Sequence, residues 1–255
     1  MRIDAADLHY RELNQQVRQA VAAGERSFEL VNVNGQRYIA DGLQGPITFA
    51  IHGVPGNDLG AFMDGPVVTV HGNAQDAVAN TMNAGRIVVH GHAGDVLGYG
   101  MRGGQLLVRG NVGYRVGIHM KAYLGGGGAA LGPGDRLPVL VAGGVAGDFL
   151  GEYMAGGVLI VLGLDRRPGD PLVGDWCATG MHGGVVYLRG EVDPARVATR
   201  FVAIRPADKS DKALIRPYVE AFTSAFGLNA AELLDHDFLR IAPISHRPYG
   251  AKYAA

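Results

Sequence analysis

The sequence predicts an all-β core, a single-stranded right-handed parallel β-helix over residues 46–192. It is expected to hold about seven coils of a 19-residue repeat, between a small α/β N-terminal cap (1–45) and a helical C-terminal extension with a tail (193–255). Three observations predict it. The chain of 255 residues holds 40 glycines together with 47% hydrophobic residues, which suits tightly turning β-structure rather than disorder. Met63, Met82, Met101 and Met120 follow one another at 19-residue steps, and Met154 and Met181 continue the series after 34 and 27 residues. Glycine recurs ten positions before the methionines, at Gly53, Gly72, Gly91, Gly110 and Gly144. Gly163 follows once the second insertion is placed, and Gly190 opens a further coil.

The longer steps read as 19 residues plus loop insertions near 124–138 and 164–171. Ahead of each corner glycine the chain alternates. Phe49, Val68, Ile87, Leu106, Leu140, Leu159 and Val186 form one apolar column. Two residues on, Ile51, Val70, Val89, Val108, Ala142, Val161 and Leu188 form another. A period of two places both columns on one face, which must be the interior. Leu59, Val78, Leu97, Val116, Leu150 and Cys177 make a third column, and the methionines a fourth. A single coil cannot bury such a face; stacking at about 4.8 Å per coil does. Only Gly or Ala stands three positions before each methionine, as at Gly98 and Ala178, which marks tight corners.

The flanks carry different patterns. Residues 7–23 read as an amphipathic helix with Leu8, Leu13, Val17, Ala20 and Val21 on one face. Residues 27–33 and 36–39 read as a hairpin turning at Asn34-Gly35. Residues 209–235 read as helical, with Ser210 as N-cap and Pro217 starting a second helix. A strand is expected at 238–241 and an extended tail after it. These flanks serve as end caps or as covers for a long side of the stack.

Composition excludes several function classes. With 23 basic and 24 acidic residues there is no electrostatic footprint for nucleic acid or an anionic membrane. No apolar run is long enough to span a bilayer and no signal-peptide core is present, so a cytoplasmic location is expected. One cysteine, Cys177, permits neither an internal disulfide nor an iron–sulfur cluster held by this chain alone. The glycine run 125–128 lacks the phosphate-loop pattern, and none of the four serines sits in a nucleophile elbow.

Four groups of residues invite chemistry. His52, His71, His90 and Arg109 share an outward column, which reads as a metal site, as the lining of a channel or interface, or as a solvated polar row. Asn57, Asp76, Asp95, Asp148 and Asp175 form a carboxylate-rich column, interrupted by Tyr114, beside turn glycines. Acid–base work and capping of the turn backbone are the two readings, and the position beside glycine favours capping. Cys177 lies in a core column and reads as a small buried hydrophobe, while His182 lies beside a corner. Lastly, Val88, Leu107, Val141, Ile160 and Tyr187 stand between the interior positions and so point outward, yet all are apolar. This strip is the candidate interface, to be covered by a flank helix or by another subunit. No residue stands out as catalytic, cofactor-binding or metal-ligating.

The segments Gly91-His-Ala-Gly-Asp-Val-Leu-Gly-Tyr-Gly-Met-Arg-Gly-Gly104 and Gly144-Val-Ala-Gly-Asp-Phe-Leu-Gly-Glu-Tyr-Met-Ala-Gly-Gly157 resemble the GXGXG β-helix signature. That signature is known from the C-terminal domain of the glutamate synthase large subunit and from the β-helical subunit of formylmethanofuran dehydrogenase. The flanks, with Asn32-Val-Asn-Gly-Gln-Arg-Tyr-Ile-Ala-Asp-Gly-Leu43 and Arg247-Pro-Tyr-Gly250, resemble the free-standing, archaeal-type version of the glutamate synthase domain. Coil two departs from the pattern at Gln75, Ala79 and Ala84, and coil four at Ala122-Tyr123.

What the resemblance implies is a non-catalytic scaffold. It would bridge a class II glutamine amidotransferase subunit and an FMN-binding, iron–sulfur synthase subunit, and help enclose an ammonia path. FMN and the cluster are then expected in the partners and no cofactor in this chain. The alternative is a structural subunit of a formylmethanofuran dehydrogenase or formyltransferase/hydrolase complex. A stand-alone β-helix enzyme such as an acyltransferase fits less well, because the repeat shows no six-residue sub-period. A homo-oligomer of this chain alone is the remaining reading.

Overall fold

The structure, a computed structural model, describes residues 1–122 and 137–245. Most of the first insertion, the glycine run 125–128 and the tail from 246 onward lie outside the described residues. The strands are β1 (Arg2–Asp4), β2 (Ser27–Asn34), β3 (Thr48–Val54), β4 (Asp64–Val70), β5 (Ala84–Val89), β6 (Gln105–Val108), β7 (Val139–Ala142), β8 (Ala155–Val161), β9 (Gly183–Arg189), β10 (Val202–Pro206) and β11 (Phe238–Pro243). Helices α1 (Tyr10–Ala22), α2 (Lys209–Phe226) and α3 (Ala230–Asp235) complete the fold. No helix among the described residues is long and apolar enough to cross a membrane.

All eleven strands join one sheet in the order β1-β2-β3-β4-β5-β6-β7-β8-β9-β11-β10. Every pairing from β1 to β9 is parallel, and β11 joins β9 and β10 antiparallel. The register follows the sequence columns link by link: Phe49 pairs with Val68, Val68 with Ile87, Ile87 with Leu106, Leu106 with Leu140, Leu140 with Leu159, and Leu159 with Val186. A second row of parallel bridges links Ala74, Ala93, Val112, Ala146 and Val173. Each turn of chain therefore returns to lie beside the last, and the register of the columns is kept on either side of both insertions.

The four apolar columns are buried in one core cluster, to which Leu13 and Val17 of α1 and Ile241 of β11 also contribute. The boundaries expected at 45/46 and 192/193 fall within a continuous sheet and a continuous core. Removing a Leu or Ile side chain from water is worth roughly 1.5–3 kcal/mol, so the identity of residues along each column sets the register energetically.

The flanks differ from expectation in three places. No hairpin forms at Asn34-Gly35. Instead β2 pairs in parallel with β3, matching Phe28 to Phe49 and Leu30 to Ile51. The chain then runs on as one further turn of the ladder, with Tyr38 N–H bonded to Asn57 O and Gly42 N–H to Ala61 O. An Asn-Gly step supports many turns; this turn carries Leu43 where later ones carry methionine, which hides it from the methionine spacing. The N-cap of α2 is Asp208, not Ser210, because its carboxylate accepts from the Ser210 and Asp211 N–H groups. Pro217 lies inside α2 rather than starting a helix. The helix tolerates the lost N–H because Ile215, Val219 and Phe222 anchor its apolar face on the sheet.

Candidate interaction surfaces

The apolar strip is covered by the chain itself. Val88, Leu107, Val141, Ile160 and Tyr187 are buried together with Ile215, Val219 and Phe222 of α2 and Leu233 and Leu234 of α3. The strip is thus the floor of an internal helix–sheet layer, not a free interface. Alternation along a strand tells which side a residue faces, but not which element lies above it.

On the same side of the sheet, beyond the end of α2, lie His52, His71 and His90, all exposed. Their rings stack at 4.7 Å and 5.3 Å between centroids, 14° and 22° from parallel. Phe226 meets His90 edge-on at 5.2 Å. Arg109, next in the column, is drawn away into an ion pair with Asp165 at 2.8 Å. At the other end Glu29 lies 3.7 Å from His52. Partial desolvation, and after it the neighbouring His52 and His90, hold His71 below the usual histidine range. Metal binding needs nitrogens that converge at about 2.0–2.1 Å on one ion. Stacked rings direct theirs side by side, and no group of three or more His, Cys, Asp or Glu among the described residues could hold a metal ion.

Asp76, Asp95 and Asp148 of the carboxylate column cap backbone, as their position beside glycine suggests, and the backbone they cap belongs to the next turn, while Asp175 pairs with Arg196 at 2.7 Å. Asp76 Oδ1 accepts from Asp95 N–H at 2.9 Å, Asp95 Oδ1 from Tyr114 N–H at 2.8 Å, and Asp148 Oδ1 from Asp175 N–H at 2.8 Å. A second ladder escaped sequence reasoning. Asn73 Oδ1 accepts from His92 N–H at 2.9 Å, His92 Nδ1 from Asn111 N–H at 2.8 Å, and Asn111 Oδ1 from Val145 N–H at 3.1 Å. Its signal was a polar acceptor directly after three successive corner glycines, in Gly72-Asn73, Gly91-His92 and Gly110-Asn111.

These ladders explain the corner glycines. A Cβ at Gly91 would stand 2.1 Å from Asn73 Oδ1, at Gly110 2.5 Å from His92 Nδ1, and at Gly144 2.0 Å from Asn111 Oδ1. Gly72 is pressed by Gly53 O at 2.6 Å. Crowding by the preceding turn, rather than left-handed backbone, requires glycine at these four. Gly53, Gly163 and Gly190 have positive φ, and Gly53 is crowded as well, by Val33 O at 2.1 Å.

Cys177 is fully buried in its core column, and burial pushes its thiol up to about 12. It is a packing residue. His182 Nδ1 lies 3.1 Å from Gly180 O, at the corner where the sequence placed it.

The side of the stack preceding each methionine has an unusual backbone. Positions five, three and one before the methionine are left-handed in turn after turn: Val96, Gly98 and Gly100 at φ 52°, 64° and 56°, then Arg115, Gly117 and His119 at 56°, 73° and 55°, then Phe149, Gly151 and Tyr153 at 60°, 68° and 50°. Left-handed residues at every second position let N–H groups alternate between neighbouring turns. Val96 and Gly100 donate to Tyr114 O and Ile118 O of the following turn, and Gly98 to Val78 O of the preceding one. Glycine accepts this conformation freely; bulky residues in it are strained by roughly 1–2 kcal/mol each. The ribbon's outward positions expose Phe62 (52%), Tyr99 (42%), Tyr114 (53%) and Trp176 (61%).

Gly98-Tyr-Gly100 and its equivalents are thus imposed by the backbone of every turn. The sequence model described as GXGXG motif matches residues 10–244. The chain belongs to the GXGXG motif family. This GXGXG chain is 51% identical to an uncharacterized protein of Methanocaldococcus jannaschii, over 98% of its own length and 95% of the relative's. A shorter match links it to Protein GlxC of Rhizobium meliloti, at 34% identity over 30% of this chain and 34% of that one. Among solved structures, it is similar to a chain of the formyltransferase/hydrolase complex (FhcABCD) from Methylorubrum extorquens in complex with methylofuran. That likeness has a TM-score of 0.63 and 19% identity, covering 94% of this chain and 89% of the other. The likeness is one of fold.

Proposed function

We propose that this chain is a non-catalytic structural subunit of a multi-subunit enzyme complex of the formyltransferase/hydrolase type. The observation carrying the reading is the fold shared, over nearly the whole chain, with a component of such a complex. The chemistry of the surface supports it. The carboxylates and polar acceptors beside the turns bind backbone, the histidines stack on one another, and Cys177 is sealed in the core. A regular hydrogen-bonded ladder over one continuous core suits a part that holds other parts in place.

A second reading is a structural subunit of a glutamate synthase-type complex, bridging a class II glutamine amidotransferase and an FMN-binding synthase subunit and helping enclose an ammonia path. What favours it is the flank segment from Asn32 to Leu43, with Arg247-Pro-Tyr-Gly250, which resembles the free-standing glutamate synthase domain. Under either reading catalysis and cofactors reside in the partners and the assembly is cytoplasmic. The parallel ladder is read as a right-handed β-helix of about seven coils, the single 19-residue unit of its sequence repeated.

The test is purification of the native assembly through a tag on this chain, with its companions identified by mass spectrometry. Formyltransferase and hydrolase subunits in fixed stoichiometry support the first reading. A glutamine amidotransferase with a flavin and iron–sulfur subunit would replace it by the second. Recovery of this chain alone, as a monomer or homo-oligomer, would sink both.

A further inference from the structure

We propose that the left-handed ribbon face is the docking surface for an arginine-bearing surface of another polypeptide. α2 and α3 lie over the sheet, and α1 reaches the ribbon at its first turn, where Asn14 and Arg18 donate to Arg37 O and Asp41 O and Tyr10 packs on Tyr38; the later turns of this face show no such helix contact among the described residues. Beyond the first turn it presents four large exposed aromatic side chains, Phe62, Tyr99, Tyr114 and Trp176. Tyr and Trp with one wet edge and one apolar body are what well-packed protein interfaces are enriched in.

The charge of the face selects the occupant. Asp58, Asp76, Asp95, Asp148, Glu152 and Asp175 stand along it, against Arg115 and Arg196. Six carboxylates against two guanidiniums leave a formal −4, in a chain whose total is −1. A second copy offering the same face would bring like charges together. A basic partner is favoured, and the rings favour arginine over lysine, because a planar guanidinium stacks on aromatic faces while pairing with carboxylates.

The protein already contains one such contact. The Arg115 guanidinium lies 4.6 Å over the Phe149 ring and pairs with Glu152. One ring and one carboxylate hold one arginine. The same combination recurs with the ring exposed. Tyr114 follows Asp95 and precedes Asp148 in the carboxylate column, its N–H bonded to Asp95 Oδ1, and Trp176 follows Asp175 directly. An incoming arginine repeats on these rings the contact that Arg115 makes on Phe149.

Trp176 is the only tryptophan in the chain, so its fluorescence reports on the face directly. Titration of the purified full-length chain with a nona-arginine peptide is expected to give a saturable change in Trp176 emission. Nona-lysine is expected to bind several-fold more weakly and nona-glutamate not to bind. Tyr114→Ser, and separately Asp95→Asn with Asp148→Asn, are expected to weaken nona-arginine at least tenfold. Asparagine keeps the oxygen that accepts from the next turn, so an unchanged melting temperature verifies that the stack is intact. His71→Ser, on the open sheet, serves as the control and is expected to change nothing. The proposal is overturned by the absence of a saturable change, by equal affinity in the folded variants, or by nona-glutamate binding as tightly. Self-association in sedimentation that is lost on Trp176→Ser would also overturn it, by making a second copy the occupant. Because the isolated chain is used, the outcome is independent of which complex the chain enters.

Discussion

The Tyr187 hydroxyl donates a 2.8 Å hydrogen bond to Asp211, joining the floor of the sheet to the first turn of α2. Both residues are buried, and Arg205 and Arg240 close on the same carboxylate at 2.6 Å and 3.3 Å. Asp211 also accepts from the Asp208 N–H, completing the reciprocal cap of α2. One carboxylate thus fastens the helix that covers the apolar strip.

This latch has a pH signature. Burial alone would raise the Asp211 pKa, but the Asp208 N–H, the Arg205 guanidinium and the Tyr187 hydroxyl outweigh it and hold the group below its ordinary 3.8. A carboxyl depressed in the folded state adds stability that is present above the unfolded value and lost as pH falls through the folded one. Tyr187 is pushed up to about 12 from 10, by burial first and Asp211 second. Its contribution is complete below pH 10 and lost as pH rises toward the folded value. Urea midpoints measured against pH are expected to fall less steeply below pH 3.8 in Asp211→Asn. In Tyr187→Phe the alkaline fall above pH 10 is expected to shrink, at a cost near neutral pH of about 1 kcal/mol for the lost hydrogen bond.

Covering of the strip by the chain's own helices is tested without any partner. Leu107→Ala in the isolated chain is expected to cost about 2–5 kcal/mol, read from urea unfolding. Leu107→Lys combined with Ile160→Lys should prevent folding, since two unpaired charges would lie under α2. A doubly substituted chain that stays folded would contradict the helix–sheet layer.

Gly94 and Asp76 should be energetically coupled. A Cβ on Gly94 would stand 2.0 Å from Asp76 Oδ1, with the remaining contacts at 3.2 Å or more. Gly94→Ala is expected to cost about 1–3 kcal/mol by overpacking, and Asp76→Ala about 1 kcal/mol for the acceptor taken from Asp95 N–H. The double variant should cost clearly less than the sum, because removing the carboxylate opens the space the methyl needs. Additive costs would mean that the crowding is not what requires glycine.

Val96 is a β-branched residue at φ 52°, a conformation suited to glycine. Val96→Gly is expected to raise stability by about 0.5–1 kcal/mol, the relieved strain exceeding the extra chain entropy of glycine. Thermal melting of the purified variant checks the sign.

Burial of Cys177 predicts an inert thiol. A colorimetric disulfide reagent is expected to leave the native chain unmodified and to modify one thiol per chain once urea has unfolded it. Rapid modification of the native chain would show that the core column opens.

The spacing of glycine, methionine and aliphatic residues determined by itself the parallel register from β3 to β9, the four core columns and the presence of an apolar outer strip. Those properties are local and periodic: alternation states which side a residue faces, and a constant repeat states what it stacks on. Tertiary structure decided the rest. That α2 and α3, rather than another chain, lie on Leu107 and Ile160 depends on contacts between residues far apart in the chain, which no period encodes. The same holds for β2, whose turn lacks the methionine that marks the others. The Asn73–His92–Asn111 ladder and the crowding at Gly91 arise only when one turn is laid against the next at hydrogen-bonding distance. The spacing already set Tyr114 in the carboxylate column, outside the core columns, but how far its ring and that of Trp176 stand in solvent is decided by the packing of the neighbouring turns.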